Sequence, residues 1–219
     1  MKELIILGGA GIGLTVASIA EQEENIAVLG FLNDVVPVGE RIGKFKSFPV
    51  IGTTNDITRY LDDPDVLFFV AYVGMQNEKQ VYEKVMGLNI PVDRFYTAID
   101  KRAVYPEGYC KLGNGILLTA LSQVGVDVTL SDNVMLFANA YVGHNAFLDR
   151  FAHVASNAVV GANVHVGKAV HVGTNATIRE KVTIGDYSLI GSGAVVLNDV
   201  PPKTIVAGAP AKVVKYIEE

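Results

Sequence analysis

From Leu112 onward a single frame governs the hydrophobic positions. Every sixth residue through Leu112, Leu118, Val124, Leu130, Leu136, Val142, Leu148, Val154, Val160, Val166, Val172, Ile178, Ile184, Ile190 and Val196 is Leu, Ile or Val. Glycine follows the aliphatic at 113, 125, 143, 161, 167, 173, 185 and 191, and four residues after each aliphatic the side chain is nearly always Ala, Ser or Val. Neither the 3.6-residue helical period nor simple alternation produces a strict six. A hexapeptide parallel β-helix does: each unit forms one flat face, the aliphatic fills the interior, and the glycine after it is expected to turn the corner. Three units close one triangular coil, so residues 18 apart stack, and the run makes about five coils.

The first hundred residues follow another pattern. Strand-like runs at Glu3 to Leu7, Ile26 to Leu32 and Val66 to Val73 alternate with helical stretches at Leu14 to Gln22 and Asn77 to Met86, a short βαβ pattern. The first strand runs through Gly8, Gly9, Ala10, Gly11, Ile12 and Gly13 into a helix, where backbone N–H groups and the helix dipole can receive a phosphate. Tight packing of strand against helix explains such glycines equally well. Asn33 and Asp34 close the second strand, where side chains can meet sugar or base groups. The predicted division is an α/β Rossmann-like domain over 1–105 and an all-β parallel β-helix over 106–219.

Composition narrows the function classes. Of 219 residues, 50% are hydrophobic and 19% charged, a globular balance. The net charge of −5 has no basic patch for nucleic acid, and no apolar run approaches the ~20 residues of a membrane span. Cys110 is the only cysteine, so no internal disulfide forms and a reducing cytoplasm fits best. The opening MKELIILGGAGIG is broken by glycines and lacks the cleavage pattern of a signal peptide. Cys110 precedes the first coil without an adjacent histidine, which argues against a nucleophile.

The hexapeptide frame, with the closing VAGAPAKVV from Val206 to Val214, resembles the left-handed β-helix acyltransferases. With the glycine-rich βαβ half, nearly the whole chain is similar to the bacterial nucleotide-sugar acetyltransferases of the sialic acid O-acetyltransferase and bacillosamine N-acetyltransferase type. The matching stretch is VGHNAFLDRFAHVASNAVVGANVHVG, from Val142 to Gly167. The resemblance implies a homotrimer with sites between subunits, acetyl-CoA as co-substrate, a nucleotide-linked amino sugar as acceptor and no metal. It places the general base on His144 and the second histidine, which contacts the acetyl donor, on His153. It puts Thr174 and Ser192 against acetyl-CoA, with Ala162 offering a backbone N–H near the thioester. Ala10, Gly11 and Ile12 fall on the nucleotide-sugar loop, Asn33 and Asp34 on the uridine-binding pair, and Gly74 and Asn77 on a further substrate loop. Where the family carries Asp or Glu after the base, this chain has Asn145, which orients the imidazole but stabilises its cation less.

All four histidines lie in the β-helix half. His153, His165 and His171 immediately precede core aliphatics and are expected to face outward, whereas His144 lies just past a corner. Three further readings compete with N-acetylation: acetylation of a sugar hydroxyl, as in the sialic acid enzymes; a zinc carbonic-anhydrase-like β-helix protein using three histidines; and a non-catalytic dinucleotide-sensing module. Only the first two of these use the histidine pattern.

Overall fold

The computed structural model describes residues 1–72 and 77–217. The chain divides into two compact units, Met1–Val73 with Glu83–Ala98, and Gly74–Tyr82 with Ile99–Glu219.

The first unit is built on a five-stranded sheet. Strands β1 (Lys2–Gly8), β2 (Ile26–Leu32), β4 (Phe48–Gly52) and β5 (Val66–Ala71) run parallel in the order β4-β2-β1-β5, and the short β3 (Arg41–Ile42) adds antiparallel to β4. Leu4, Ile5, Ile6 and Leu7 of the central β1 are fully buried. Their unbroken apolar run is the signature of a parallel strand covered on both faces.

Helix α1 covers Ala10–Ala20, four residues earlier than the hydrophobic pattern predicts. Glycine in a helix interior costs roughly 1 kcal/mol relative to alanine, which argues against a helix through Gly11 and Gly13. Packing outweighs that cost at Gly13, where an added Cβ would lie 2.4 Å from the Phe31 ring and 2.9 Å from Ile6.

The second unit is a left-handed parallel β-helix. Two-residue strands from Lys111–Leu112 to Val195–Val196 each end on the predicted aliphatic, and they pair at an offset of 18 residues: Tyr141 with Val159, Phe147 with His165, His153 with His171. Three faces result. One holds Thr129–Leu130, Phe147–Leu148 and His165–Val166; another Met135–Leu136, His153–Val154 and His171–Val172; the third Tyr141–Val142, Val159–Val160 and Thr177–Ile178. Leu136, Val142, Leu148, Val154, Val160 and Val166 are fully buried, each contributing about 1.5–3 kcal/mol of apolar burial. Ala140, Ala146, Ala152 and Ala158 fill the narrow inner corners. The end is closed by Thr204–Ala207, which pairs antiparallel with Lys212–Tyr216.

Two expectations are corrected here. The left-handed backbone of the corners falls three residues after the aliphatic, at Asn133, Asn139, Asn145, Asn157, Asn163 and Asn175, all with φ between 57° and 60°. Asparagine is the non-glycine residue best suited to that region. The glycine after the aliphatic serves close approach instead: a Cβ on Gly143 would lie 2.7 Å from the Ala162 nitrogen of the next coil. The second correction concerns His153. It occupies an outward position, yet it is 4% exposed, because this face is covered. Leu117 and Met135 in the same column are also buried, and the ring of Tyr82, from α2 (Glu78–Met86), lies edge-on to Phe151 and Tyr187 beside it.

Candidate functional site

The β-helix unit places the acetyl-transfer candidates on two of its corners. His144 and Ala162 lie one above the other at the corner between the Tyr141 and Phe147 faces, tied by the Asn163 N–H donating to the His144 carbonyl at 3.0 Å. His144 is exposed, and its Nδ1 donates to Asn145 Oδ1 at 2.8 Å. With Nδ1 protonated, Nε2 carries the lone pair and is free to take a proton. Asn145 therefore does two things: its φ of 59° turns the corner and its amide fixes the imidazole tautomer.

Gly161 and Asn163 donate to Ile178 and His144 carbonyls, while the Ala162 N–H between them has no protein acceptor among the described residues. Thr174 and Ser192 are exposed and stack at the next corner of the triangle, where the Gly193 N–H donates to the Thr174 carbonyl. The structure thus brings His144 to Ala162, and Thr174 to Ser192, on separate corners.

His153 stands on the remaining, covered face with His171, their ring centroids 6.4 Å apart. His153 Nε2 and His171 Nδ1 are buried without hydrogen-bond partners. Burial, with the neighbouring His171, pushes the His153 pKa down to about 3, and burial lowers that of His171 as well. His165 lies on a different face, stacked on Phe147 at 4.9 Å, so the three histidines of the zinc reading do not converge within one chain. Among the described residues no group of three His, Cys, Asp or Glu is placed to hold a metal. Cys110 donates to the Pro106 carbonyl, and burial pushes its thiol pKa up, away from nucleophilic character.

The first unit contains a cavity of about 390 Å³ lined by Gly8, Gly9, Ala10, Asn33, Asp34, Val35, Val36, Tyr72 and Lys84. Ala10, Gly11 and Ile12 form the first turn of α1, whose N-cap Gly9 supplies no side-chain cap and whose first turn has no acidic residue. Gly8 (φ +89°) lets the Tyr72 ring lie against it, and Gly13 answers to Phe31, whereas a Cβ on Gly11 would meet only open space. Packing accounts for the glycines around it and leaves Gly11 without a protein neighbour to explain it.

Asn33 is buried and spends its amide on the protein: Nδ2 donates to the Gly8 carbonyl, and Oδ1 accepts from the Val35 and Val36 N–H groups. It shapes the mouth of the cavity. Asp34 accepts from the Thr54 N–H and hydroxyl at 2.7 Å each, from Lys84 Nζ at 2.6 Å and from the Tyr72 hydroxyl at 3.4 Å. Burial alone would raise its pKa, but the Lys84 and Thr54 hydrogen bonds outweigh it and hold the carboxyl at about 2. Thr54, Tyr72 and Lys84 escape a sequence reading because no short motif links positions 20 to 50 residues apart. Asn77 is exposed just before α2, its carbonyl accepting from Val81, and Gly74 lies outside the described residues.

Comparison with known proteins follows the same division. Residues 3–85 match the family described as PglD N-terminal domain, and residues 163–198 match the bacterial transferase hexapeptide (six repeats). No curated protein sequence matches the chain. Among solved structures, the acetyltransferase domain of PglB from Neisseria gonorrhoeae FA1090 is 29% identical with a TM-score of 0.79, covering 98% of this chain and 100% of that one. The same domain is known in complex with acetyl coenzyme A. PerB from Caulobacter crescentus, in complex with CoA and GDP-perosamine, is 23% identical with a TM-score of 0.79, covering 98% of both chains. WeeI from Acinetobacter baumannii AYE is 19% identical with a TM-score of 0.73, covering 97% of this chain and 100% of that one. The last two likenesses are likenesses of fold. The chain joins a PglD N-terminal domain to hexapeptide transferase repeats.

Proposed function

We propose that this chain is an acetyl-CoA-dependent N-acetyltransferase acting on the amino group of a nucleotide-linked amino sugar. The observation that carries the reading is the exposed His144, its Nδ1 held by Asn145 Oδ1, on the β-helix of a chain that aligns end to end with an acetyltransferase domain. In the proposed reaction the sugar amine attacks the acetyl thioester, His144 Nε2 accepts the amine proton, and the CoA thiolate leaves. The Ala162 N–H donates to the oxyanion that forms on the thioester carbonyl. A neutral amine is already nucleophilic, so an imidazole oriented by an amide rather than a carboxylate is a sufficient base.

Thr174, Ser192 and His153 complete the acetyl-CoA site in this reading. His153 Nε2 lacks a partner in the lone chain, and access to it requires the side chains over it to move. The corners of one chain do not converge, which supports a homotrimer in which neighbouring subunits share each site. Ala10, Gly11, Ile12, Asn33, Asp34, Gly74 and Asn77 form the acceptor side of the proposal. No helix among the described residues is long and apolar enough to cross a membrane, which is compatible with work in the cytoplasm.

A thiol-release assay with acetyl-CoA across UDP-, dTDP- and GDP-linked amino sugars and their hydroxyl analogues tests the proposal. The expected result is CoA release with an amino sugar and little with its hydroxyl counterpart. Release with hydroxyl acceptors alone would replace N-transfer by O-transfer, and no release with any acceptor would defeat the reading.

A further inference from the structure

We infer that Lys84 is the cation that binds the diphosphate of the acceptor, exchanging its ion pair with Asp34 for the phosphate. This rests on the reading of the first unit as a nucleotide-sugar site and assigns it a residue that the glycine loop does not predict.

The argument begins with charge. A nucleoside diphosphate brings at least two negative charges into a cavity whose wall already carries the Asp34 carboxylate. The uncapped N-terminus of α1 contributes partial positive charge, but the diphosphate and the Asp34 carboxylate would still repel each other at short range. Among the described residues that line the cavity, Lys84 is the one lysine or arginine. Its Nζ lies 2.6 Å from Asp34 and 5.1 Å from the Tyr72 ring centroid, which leaves it at the cavity wall on a flexible four-carbon stem.

The surroundings of Asp34 make an exchange of partners feasible. Removing one member of an ion pair is costly when it leaves a desolvated charge alone. Asp34 would not be left so: the Thr54 N–H and the Thr54 hydroxyl, each at 2.7 Å, remain as donors after Lys84 departs. The Thr54 and Tyr72 oxygens also lie 2.7 Å apart and brace each other. Lys84 is half exposed, so its own move costs little desolvation. The phosphate then gains a charge-assisted hydrogen bond, and Asp34 keeps a neutral shell of donors.

Calorimetric titration of the full chain with UDP, dTDP and GDP, and with uridine, thymidine and guanosine, tests the assignment. The wild type should bind one diphosphate, and Lys84→Met should weaken that diphosphate about 10- to 100-fold. Binding of the corresponding nucleoside and of acetyl-CoA should stay within about twofold, and Lys84→Arg should recover most of the diphosphate affinity. Undiminished diphosphate binding by Lys84→Met overturns the inference while leaving the nucleotide-sugar reading intact. Equal losses for nucleoside and diphosphate also overturn it, in favour of a packing role. A wild type that binds none of the three diphosphates defeats the nucleotide-sugar reading and this inference together.

Discussion

At the residue scale, Asn145 shows how one position serves fold and chemistry at once. The sequence singles it out as a departure, an amide where a carboxylate is expected after the base. The structure adds a reason legible only in hindsight: Asn145 belongs to the asparagine series at 133, 139, 145, 157, 163 and 175, all in the left-handed region. Asp tolerates that region nearly as well, so Asn145→Asp changes the electrostatics and not the corner. A carboxylate beside His144 stabilises the imidazolium, so deprotonation requires a higher pH. The acidic limb of the pH profile of kcat/KM should therefore move upward, while His144→Ala should lower kcat about 10²- to 10⁴-fold with both substrates still binding. A pH–rate series on the three proteins checks this; near-normal kcat in His144→Ala would remove the base from the mechanism.

At the element scale, the hexapeptide frame was the most legible part of the chain, because one aliphatic per strand makes the period independent of any single residue. What the frame cannot show is what lies over each face. His153, His165 and His171 occupy equivalent strand positions, yet His153 is buried and His165 exposed. The period is the same on all three faces, but burial differs from column to column: Leu117 and Met135, which pair into the His153 column, are buried with it. In the first unit the same blindness hid β4, since Pro49 and Gly52 weaken its strand pattern. The glycine loop was half legible: its position was clear, but only atomic distances separate Gly13, held by packing, from Gly11, facing open space.

Burial of the histidine pair makes a prediction about this element. The His153 pKa falls from 6.5 unfolded to about 3 folded, so the unfolded chain binds the proton more readily. That penalty is absent above pH 6.5 and grows as the pH falls toward 3, by at most about 1.4 kcal/mol per pH unit. Asp34 acts in a separate window, its stabilisation present above 3.8 and lost as the pH falls toward 2. Methionine already occupies the neighbouring rung at Met135, which is buried. His153→Met should therefore flatten the fall in thermal unfolding midpoint between pH 6.5 and 4.5. An unchanged slope would show that His153 does not titrate with unfolding.

At the scale of the whole molecule, the two histidines of the proposed acetyl-transfer site stand apart within one chain. His144 follows the Tyr141–Val142 strand and His153 begins a strand two faces further on, half an 18-residue coil away, so a single triangular coil turns them in different directions. In a three-fold assembly the corner of one subunit can face the covered face of the next, and each site then draws His144 from one chain and His153 from another. This proposal has a sharp consequence for mixtures. A His144→Ala chain still carries His153, and a His153→Ala chain still carries His144. When the two variants exchange subunits at equal amounts, each site has a one-in-two chance of an intact residue from either side, which restores about a quarter of the sites. Assayed at acetyl-CoA below saturation, where both variants alone are weak, the exchanged mixture should recover about a quarter of wild-type turnover. Sites built within one chain predict no recovery above the sum of the separate variants, because no chain in the mixture carries both residues. Co-purification of the two variants through different affinity tags distinguishes that outcome from a failure to exchange: mixed trimers without recovered turnover would place both histidines in one subunit's site, and an active, stable monomer on sedimentation would remove the shared site altogether.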